Sequence, residues 1–388
     1  MAKIILTTNR LKREIPLSLI VLKSFLDQTR HESWIYDMVL EKNSPEGLSR
    51  LIREKGADFV GVSTGSITYK TDISLVQYLQ RRHNIQSIFG GIFASTPGVF
   101  EGIADHIVAG RGEEQLLKLL DGFDGICSPT PTSRIDAGLV DCKDYDFPKD
   151  REGNKEFPLF TSLGCKYRCL YCSIPQLDEG RVWFKNPLVV QQEIRDLTEK
   201  GIFHIRFIDD MFGFDRGKVR QLLNLLEEDN LIKGASCQMR IDRTDEHFLD
   251  ELRAAGFSGL WFGVESSSED TLKRIGKPYS ITKVRKVIDD AVSLGSYISC
   301  SFTIGYPWET ESDIIRTLEF ARDLKSAFAI KPNVYIVTPF YRSPLFDIVD
   351  KQKIKTWDYT RWDAYHAVMD TEHLSAGRIQ EIYDNFKE

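Results

Sequence analysis

Short apolar runs alternate with longer amphipathic stretches through the first 110 residues of the chain. Strand-like runs occupy residues 3–8, 34–40, 57–64, 86–91 and 106–110, and helical periodicity occupies residues 15–28, 44–56 and 72–82. In the second of these helices, Ser44 is the expected N-cap, Pro45 the first helical residue and Gly56 the residue at which the helix ends. Strands and helices of these lengths in alternation predict a doubly wound α/β domain with a parallel sheet.

The alternation stops between residues 126 and 156, where Pro, Asp and Ser accumulate, and it resumes afterwards. We interpret this segment as a linker that follows a first domain at residues 1–125. The later strand-like runs are residues 157–164, 205–210, 235–242, 259–266, 297–305 and 333–340. Six β/α units are two fewer than a complete barrel contains. The pattern therefore predicts a partial (β/α)6 TIM-type barrel at residues 157–345 and a short helical segment at residues 346–388.

Composition and charge exclude several classes of protein. The chain has 388 residues, of which 42% are hydrophobic and 28% charged, so it can form packed cores and is unlike a disordered chain. A formal net charge of -6 argues against a nucleic acid as the main partner. No stretch approaches the ~20 apolar residues of a membrane span, and the N-terminus lacks the apolar centre of a signal peptide. We therefore expect a cytoplasmic protein with no membrane contact.

The cysteines are unevenly placed, which is the main chemical clue. Of seven, three (Cys165, Cys169 and Cys172) lie within eight residues, and the others are Cys127, Cys142, Cys237 and Cys300. Three thiolates can hold a [4Fe–4S] cluster and leave one iron free for another ligand. A structural zinc site would need a fourth Cys or His close by, and none occurs between Cys172 and His204. The spacing therefore favours an iron–sulfur cluster over zinc.

The segment from Gly164 to Cys172, with Tyr171 before its last cysteine, resembles the cysteine motif of the radical S-adenosylmethionine (SAM) superfamily. The resemblance implies that the three cysteines bind a [4Fe–4S] cluster whose fourth iron is chelated by SAM. It also implies reductive cleavage of SAM to a 5′-deoxyadenosyl radical, with electrons from an external donor such as flavodoxin or ferredoxin. Three buried thiols without a metal are the alternative interpretation.

Later strand ends match the same family in order. The resemblance implies that Asp209 and Asp210 meet the amino group of SAM, since paired carboxylates offer acceptors to an ammonium group. Arg240, with Gln238 on the same strand end, could bind the methionyl carboxylate bidentately. The remaining cofactor-binding residues that the resemblance implies are Tyr171 beside the last cysteine, Glu265 and Ser266 at the ribose, and Ile304, Gly305 and Pro339 near the adenine. The match around residues 301–309 is partial, because Ser301 and Thr303 replace the expected Gly and Ile.

The first domain resembles the Rossmann-like B12-binding type. Ser63, Thr64, Gly90 and Gly91 stand where that family accommodates the nucleotide tail of cobalamin. The Asp-x-His-x-x-Gly motif, which supplies a cobalt-ligating His in some B12 proteins, is absent after the early strands. A domain that binds no corrinoid and only shapes the site remains the alternative.

Together these resemblances imply a cobalamin-dependent radical SAM enzyme that methylates an unactivated carbon or phosphorus of a small molecule. One alternative is a cobalamin-independent radical rearrangement, cyclisation or oxidation, and another is a non-enzymatic iron–sulfur redox sensor. Sulfur insertion is disfavoured, because the first domain lacks the extra cysteines that a methylthiotransferase needs. Near the C-terminus, Trp362, Tyr365 and His366 have the spacing of one helical face, which favours core packing over substrate contact.

Overall fold

A computed structural model describes residues 1–122, 135–139, 144–150, 152–177 and 179–387. The chain divides into two compact units, Met1–Phe147 and Pro148–Glu388. Cys127, Cys142 and part of the predicted linker at 126–156 lie outside the described residues. No helix in the described ranges is long and apolar enough to cross a membrane.

The first unit is a parallel α/β sheet. Its strands are β1 (Lys3–Thr8), β2 (Glu32–Asp37), β3 (Phe59–Ser63), β4 (Gln86–Gly90) and β5 (His106–Val108). Its helices are α1 (Leu17–Leu26), α2 (Pro45–Lys55), α3 (Tyr69–Gln80) and α4 (Glu113–Leu120). The strand order is β2-β1-β3-β4-β5, which reverses direction between β1 and β3. Ligands of such sheets bind at the carboxyl ends of the strands beside that reversal.

The second unit is built on a six-stranded parallel sheet with the order β13-β12-β11-β10-β9-β6. These strands are β6 (Phe157–Leu159), β9 (His204–Phe207), β10 (Gly234–Met239), β11 (Phe257–Glu265), β12 (Tyr297–Ile304) and β13 (Lys331–Ile336). A hairpin of β7 (Ser162–Leu163) and β8 (Trp183–Phe184) lies after β6. The helices are α5 (Ile174–Leu177), α6 (Pro187–Glu199), α7 (Arg216–Asp229), α8 (Glu246–Ala254), α9 (Glu269–Arg274), α10 (Ile281–Ser293), α11 (Glu311–Phe328), α12 (Pro344–Ile348) and α13 (Ala376–Lys387). Both sheets confirm the predicted α/β fold class.

Local capping explains where the barrel helices begin. Asn186, Asp215 and Asp245 each accept a backbone N–H of the following first turn with a side-chain oxygen. Thr310 and Asp313 form a reciprocal capping box at the start of α11. These caps end each β–α loop, so the preceding strand ends are held at one edge of the sheet.

Two predicted elements are wrong in detail. The strand predicted at residues 157–164 is broken after Leu159, because Thr161 and Ser162 turn to donate hydrogen bonds to Asp209. The helical face predicted for Trp362, Tyr365 and His366 is not formed, because Asp363 accepts the backbone N–H groups of Tyr365 and His366 in a tight turn.

A buried ion pair fixes the hairpin beside the cysteine loop. Lys185 follows β8, and its Nζ lies 2.8 Å from an oxygen of Glu193 on α6, with both side chains only 1% exposed. The same ammonium lies 3.9 Å from the ring centroid of Phe160. Lys185 also donates its backbone N–H to Thr161, so the pair connects α6 to the segment that enters the loop.

Replacing Lys185 by Met should destabilise the protein by about 3–5 kcal/mol, because Glu193 is left as an uncompensated buried charge. Denaturant titration of the purified protein measures the loss. The double variant Lys185→Met with Glu193→Leu should recover most of it. A single variant as stable as wild type would contradict this role.

Candidate active site

The three cysteines lie on a loop that leaves the β6–β7 end of the sheet. Gly164 opens it with a φ of 92°, a conformation that favours glycine. Within it, Cys172 donates its N–H to Cys169 O at 3.0 Å. Leu170 donates its N–H to Ile275 O and accepts the N–H of Leu345. The loop is therefore held from two sides before any ligand binds.

The three thiols of the loop differ in burial, and one of them has a strongly raised pKa. Cys169 is buried, whereas Cys165 and Cys172 are half-buried. Burial raises the pKa of Cys172 to about 12, with smaller contributions from Cys169 and Cys165. No three His, Cys, Asp or Glu side chains in the described ranges are grouped tightly enough to hold one metal ion. Three thiols on one loop, one buried and two half-buried, fit the three-thiolate ligand set of a [4Fe–4S] cluster.

Asp209 and Asp210 have different surroundings. Asp209 is 1% exposed, and its carboxylate accepts four hydrogen bonds of 2.6–3.0 Å from the N–H and hydroxyl groups of Thr161 and Ser162. Burial raises the pKa of Asp209, and the four donors oppose that rise. Asp210 is half-buried and accepts the N–H of Gly164 at 2.7 Å. Burial is the main cause of the raised pKa values of Cys165 and Cys172, and the charge of Asp210 adds to the rise. Asp210 is therefore the better placed carboxylate for an ammonium group beside the cysteines.

Arg240 lies against the cysteine loop. Its Nη1 is 3.2 Å from Cys169 Sγ, and Nε and Nη2 lie 2.9 and 3.0 Å from the two oxygens of Asp242. The guanidinium carbon also lies 3.9 Å from the ring centroid of Tyr167. Most of its donors are thus committed to protein atoms, and its predicted contact with a methionyl carboxylate stays a prediction.

A buried network at the end of β11 brings Tyr171 and Glu265 together. Glu265 Oε1 accepts from Tyr171 Oη at 2.9 Å and from Lys277 Nζ at 2.6 Å, while Oε2 accepts from Thr303 Oγ1 at 2.9 Å. Lys277 and Glu265 neutralise each other, and both side chains are 6% exposed. The carboxylate keeps free lone pairs for a hydroxyl donor. This group, which we call the Glu265 corner, is a suitable ribose contact.

Other predicted residues are distributed around this corner. Ser266 is fully buried, its Oγ lies 3.3 Å from Thr317 Oγ1, and it accepts the backbone N–H of Ser268, the N-cap residue of α9. Gln238 is exposed on the strand position opposite Trp261. Ile304 and Pro339 are buried at the ends of neighbouring strands.

Glu309 shapes the turn after β12. Its Oε2 accepts the N–H groups of Gly305 and Tyr306 at 2.8 and 3.0 Å, while Oε1 is buried without a partner. Burial raises the pKa of Glu309 to about 7, against the effect of the two backbone donors. The turn is therefore organised by a buried carboxyl group whose raised pKa lies near neutral pH.

In the first unit, the predicted residues meet at the ends of β3 and β4. Ser63 pairs in register with Gly90, and Thr64 donates its N–H to Gly90 O at 2.9 Å. Thr64 Oγ1 also donates to the fully buried Asp72, which accepts from Asn9 as well, both at 2.7 Å. A Cβ at Gly90 would meet no atom within 4 Å. The strand ends are therefore firmly held but leave open space above Gly90.

Sequence reasoning missed Thr161, Ser162, Lys277 and the hydroxyl role of Thr303. In the sequence, Thr303 is only the residue that replaces the expected Ile in the motif at residues 301–309. In the structure, its hydroxyl donates directly to Glu265. Lys277 follows a helix end, and no sequence pattern distinguishes it from a surface lysine. These partners become visible only when neighbouring strand ends are brought together.

Replacing Arg240 by Gln removes the cation that donates to Cys169 Sγ. Hydrogen bonds to cluster sulfurs and nearby positive charge favour the reduced cluster. We therefore expect the midpoint potential of the reconstituted cluster to fall by on the order of 50 mV. Potentiometric EPR titration measures this shift. Arg240→Lys, which keeps the charge but loses the bidentate contact with Asp242, should shift it less, and an unchanged potential in Arg240→Gln would refute the interaction.

The raised pKa of Glu309 predicts a pH dependence of stability. Its ordinary value is 4.5 and its folded value is about 7, so the folded state retains the proton over that interval while the unfolded state loses it. Stability from this group is complete below pH 4.5 and is lost as the pH rises to about 7. Glu309→Gln should gain up to ~3 kcal/mol relative to wild type over this interval. The free energy of unfolding of both proteins, measured at several pH values, tests this prediction. Wild type and Glu309→Gln with the same pH dependence would contradict it.

Residues 159–321 match the family model described as the radical SAM superfamily. An uncharacterized methyltransferase of Pyrococcus horikoshii is 23% identical over 95% of this chain and 85% of its own length. The bacteriochlorophyllide d C-8(2)-methyltransferase of Chlorobaculum tepidum is 21% identical over 81% of this chain and 73% of its own.

Two solved structures share the fold. The radical SAM methyltransferase TsrM of Kitasatospora setae, solved with cobalamin and a [4Fe–4S] cluster, has a TM-score of 0.75 at 18% identity and covers 92% of this chain and 79% of its own. The cobalamin-dependent radical enzyme OxsB has a TM-score of 0.67 at 16% identity, covering 100% of this chain and 62% of its own. The resemblance inferred from the cysteine spacing is confirmed, and the chain carries a domain of the radical SAM superfamily.

Proposed function

We propose that this protein is a cobalamin-dependent radical SAM methyltransferase that acts on a small molecule. The observation that carries the proposal is the pairing, in one chain, of a three-cysteine barrel with a β2-β1-β3-β4-β5 sheet whose strand ends are open at Gly90. When bound, cobalamin supplies a methyl carrier, and the cluster with SAM supplies a radical. A relative matched over 95% of the chain is named a methyltransferase, which supports the same reaction class.

Different residues of the second unit would bind the cluster and the parts of SAM. Cys165, Cys169 and Cys172 would ligate the cluster, and Arg240 would donate to the Cys169 sulfur. Asp210 would accept from the ammonium group of SAM, while Asp209 holds the loop entry. Glu265 would accept from a ribose hydroxyl beside Tyr171. Because reductive cleavage of SAM consumes an electron, the proposed reaction needs an external one-electron donor such as flavodoxin or ferredoxin.

Other reactions are represented among the relatives. An anaerobic magnesium-protoporphyrin IX monomethyl ester cyclase of Synechocystis is 24% identical over 82% of this chain, so radical cyclisation is the second candidate. A tRNA methylthio-transferring synthase of Acidithiobacillus ferrooxidans is 26% identical over 71%. Sulfur insertion fits less well, since no cysteine precedes Cys127 and Cys237 and Cys300 are both buried in barrel strands.

The first test is metal content and product identity after anaerobic expression with cobalamin. We expect near-stoichiometric cobalt and about four iron atoms per chain. Turnover with methyl-deuterated SAM should yield both S-adenosylhomocysteine and 5′-deoxyadenosine and label the acceptor. Iron without cobalt, with 5′-deoxyadenosine alone, would favour the cyclisation alternative. Cys169→Ala should abolish 5′-deoxyadenosine while leaving cobalt bound.

A size series at Gly90 tests the corrinoid site separately. Gly90→Ala should be tolerated, because a Cβ there meets nothing within 4 Å. Gly90→Leu should fill the open space and lower cobalt retention about tenfold or more, as expected for a loss of at least ~1.4 kcal/mol of binding. Iron content should stay unchanged in both variants. Equal cobalt in the Leu and Ala variants would argue against this location.

A further inference from the structure

A cleft lies along β13, the strand at one edge of the barrel sheet. Its volume is about 600 Å³, which is in the range of small-molecule sites. Its walls come from β13, the C-terminal half of α11 and the end of α13. None of the residues predicted from the sequence as site residues lines it. We call it the β13 cleft.

The β13 cleft is positively charged, although the chain has a net charge of -6. No Asp or Glu lines it, and its four cations are Arg322, Lys325, Lys331 and Lys387. Within the described part of the chain none of the four forms an ion pair. Asp323, next to Arg322 in sequence, pairs instead with Arg285 at 3.9 Å. Cations gathered without acidic partners raise the local concentration of anions.

Aromatic rings hold these cations in place without neutralising them. Lys387 Nζ lies 4.3 Å from the ring centroid of Tyr383 and 5.1 Å from that of Tyr365. The guanidinium carbon of Arg322 lies 4.8 Å from the centroid of Phe386. Cation–π contacts of this kind orient the charged groups. Flat rings beside unpaired cations suit a ligand with a planar ring and an acidic group.

The inner wall of the cleft adjoins the Glu265 corner. Tyr335 lines the cleft and pairs in register with Thr303, whose hydroxyl donates to Glu265. Burial raises the pKa of Tyr335, and Tyr365 and Glu265 add to the rise, so that carboxylate lies within electrostatic range of the cleft. Lys331 opens β13 and Tyr335 lies near its carboxyl end, so a ligand that spans the cleft from the cations to Tyr335 would run along β13 toward the expected position of SAM.

We propose that the β13 cleft binds the acidic end of the substrate, and that the substrate is a planar, aromatic or conjugated organic acid. The assignment as a substrate site rests on the proposed function, whereas anion binding by the cleft does not. The four cations bind the carboxylate or phosphate group, and the rings of Tyr335 and Tyr365, 5.7 Å apart, contact the planar part.

Arg322 is the residue that tests this proposal most directly. Lys325 and Lys387 lie in the last turns of α11 and α13, where a cation also offsets the helix dipole. Lys331 lies on an edge strand, where lysine also discourages pairing with another chain. Arg322 precedes the end of α11 by more than one turn and has neither role.

The test uses the metal-free full chain and two probes of matched shape, naphthalene-2-carboxylate and naphthalene-2-carboxamide, by isothermal titration calorimetry. We expect the carboxylate to bind about tenfold tighter, with a difference that shrinks in high salt. Arg322→Gln should weaken the carboxylate about tenfold and leave the carboxamide unchanged. Lys200→Gln, the same charge change at an exposed residue outside the cleft, should alter neither probe. 2-Naphthyl phosphate as a third probe distinguishes a phosphate from a carboxylate ligand.

Equal affinity for the charged and neutral probes, or no effect of Arg322→Gln, would overturn the anion site. Because this assay needs neither cobalt nor methyl transfer, its result is independent of the proposed function. The substrate assignment is tested in turnover with the methyl acceptor. There Arg322→Gln should raise KM about tenfold with little change in kcat, as expected for lost ground-state binding. Unchanged KM despite weakened probe binding would reject the cleft as the substrate site.

Discussion

One buried carboxylate determines how the barrel presents its cysteines. Asp209 accepts four hydrogen bonds from the two residues that precede the loop, and it is almost completely removed from solvent. An unpaired carboxylate in that position would carry a large desolvation cost, so the segment at Thr161 and Ser162 must turn toward it. That turn ends β6 and places Gly164, the residue that opens the cysteine loop, beside Asp210.

Sequence patterns predicted the fold class and located the cysteine loop because both depend on local signals. Periodicity and capping residues define strands and helices, and three cysteines in eight residues are distinctive on their own. The roles of adjacent residues depend on burial, which sequence does not reveal. Asp209 and Asp210 are the same residue type at adjacent positions. Asp209 is nevertheless enclosed by four hydrogen-bond donors, whereas Asp210 is half-buried near the thiols.

Across the part of the chain that the structure describes, charged side chains are paired in the candidate active site and unpaired in the β13 cleft. At the Glu265 corner, Glu265 is matched by Lys277, and beside the loop Arg240 is matched by Asp242. Pairing offsets much of the cost of burying these charges and holds the side chains in fixed positions, which suits groups that position a cosubstrate. The cations of the β13 cleft have no such partners among the described residues. These four cations are exposed to solvent, and the proposed anionic ligand would supply the charge that protein partners do not.

Gly90 and Gly91, at the end of β4, are glycines for different reasons. Gly91 has a φ of 99°, and a Cβ there would lie 2.9 Å from Thr64 O, so the backbone alone demands glycine. Gly90 has no positive φ, and a Cβ would meet nothing within 4 Å, so neither conformation nor packing explains it. Open space without a side chain, at a strand end beside the reversal of strand order, is where such sheets bind their ligands. Gly90 is therefore the residue of the first unit that argues most directly for a bound group.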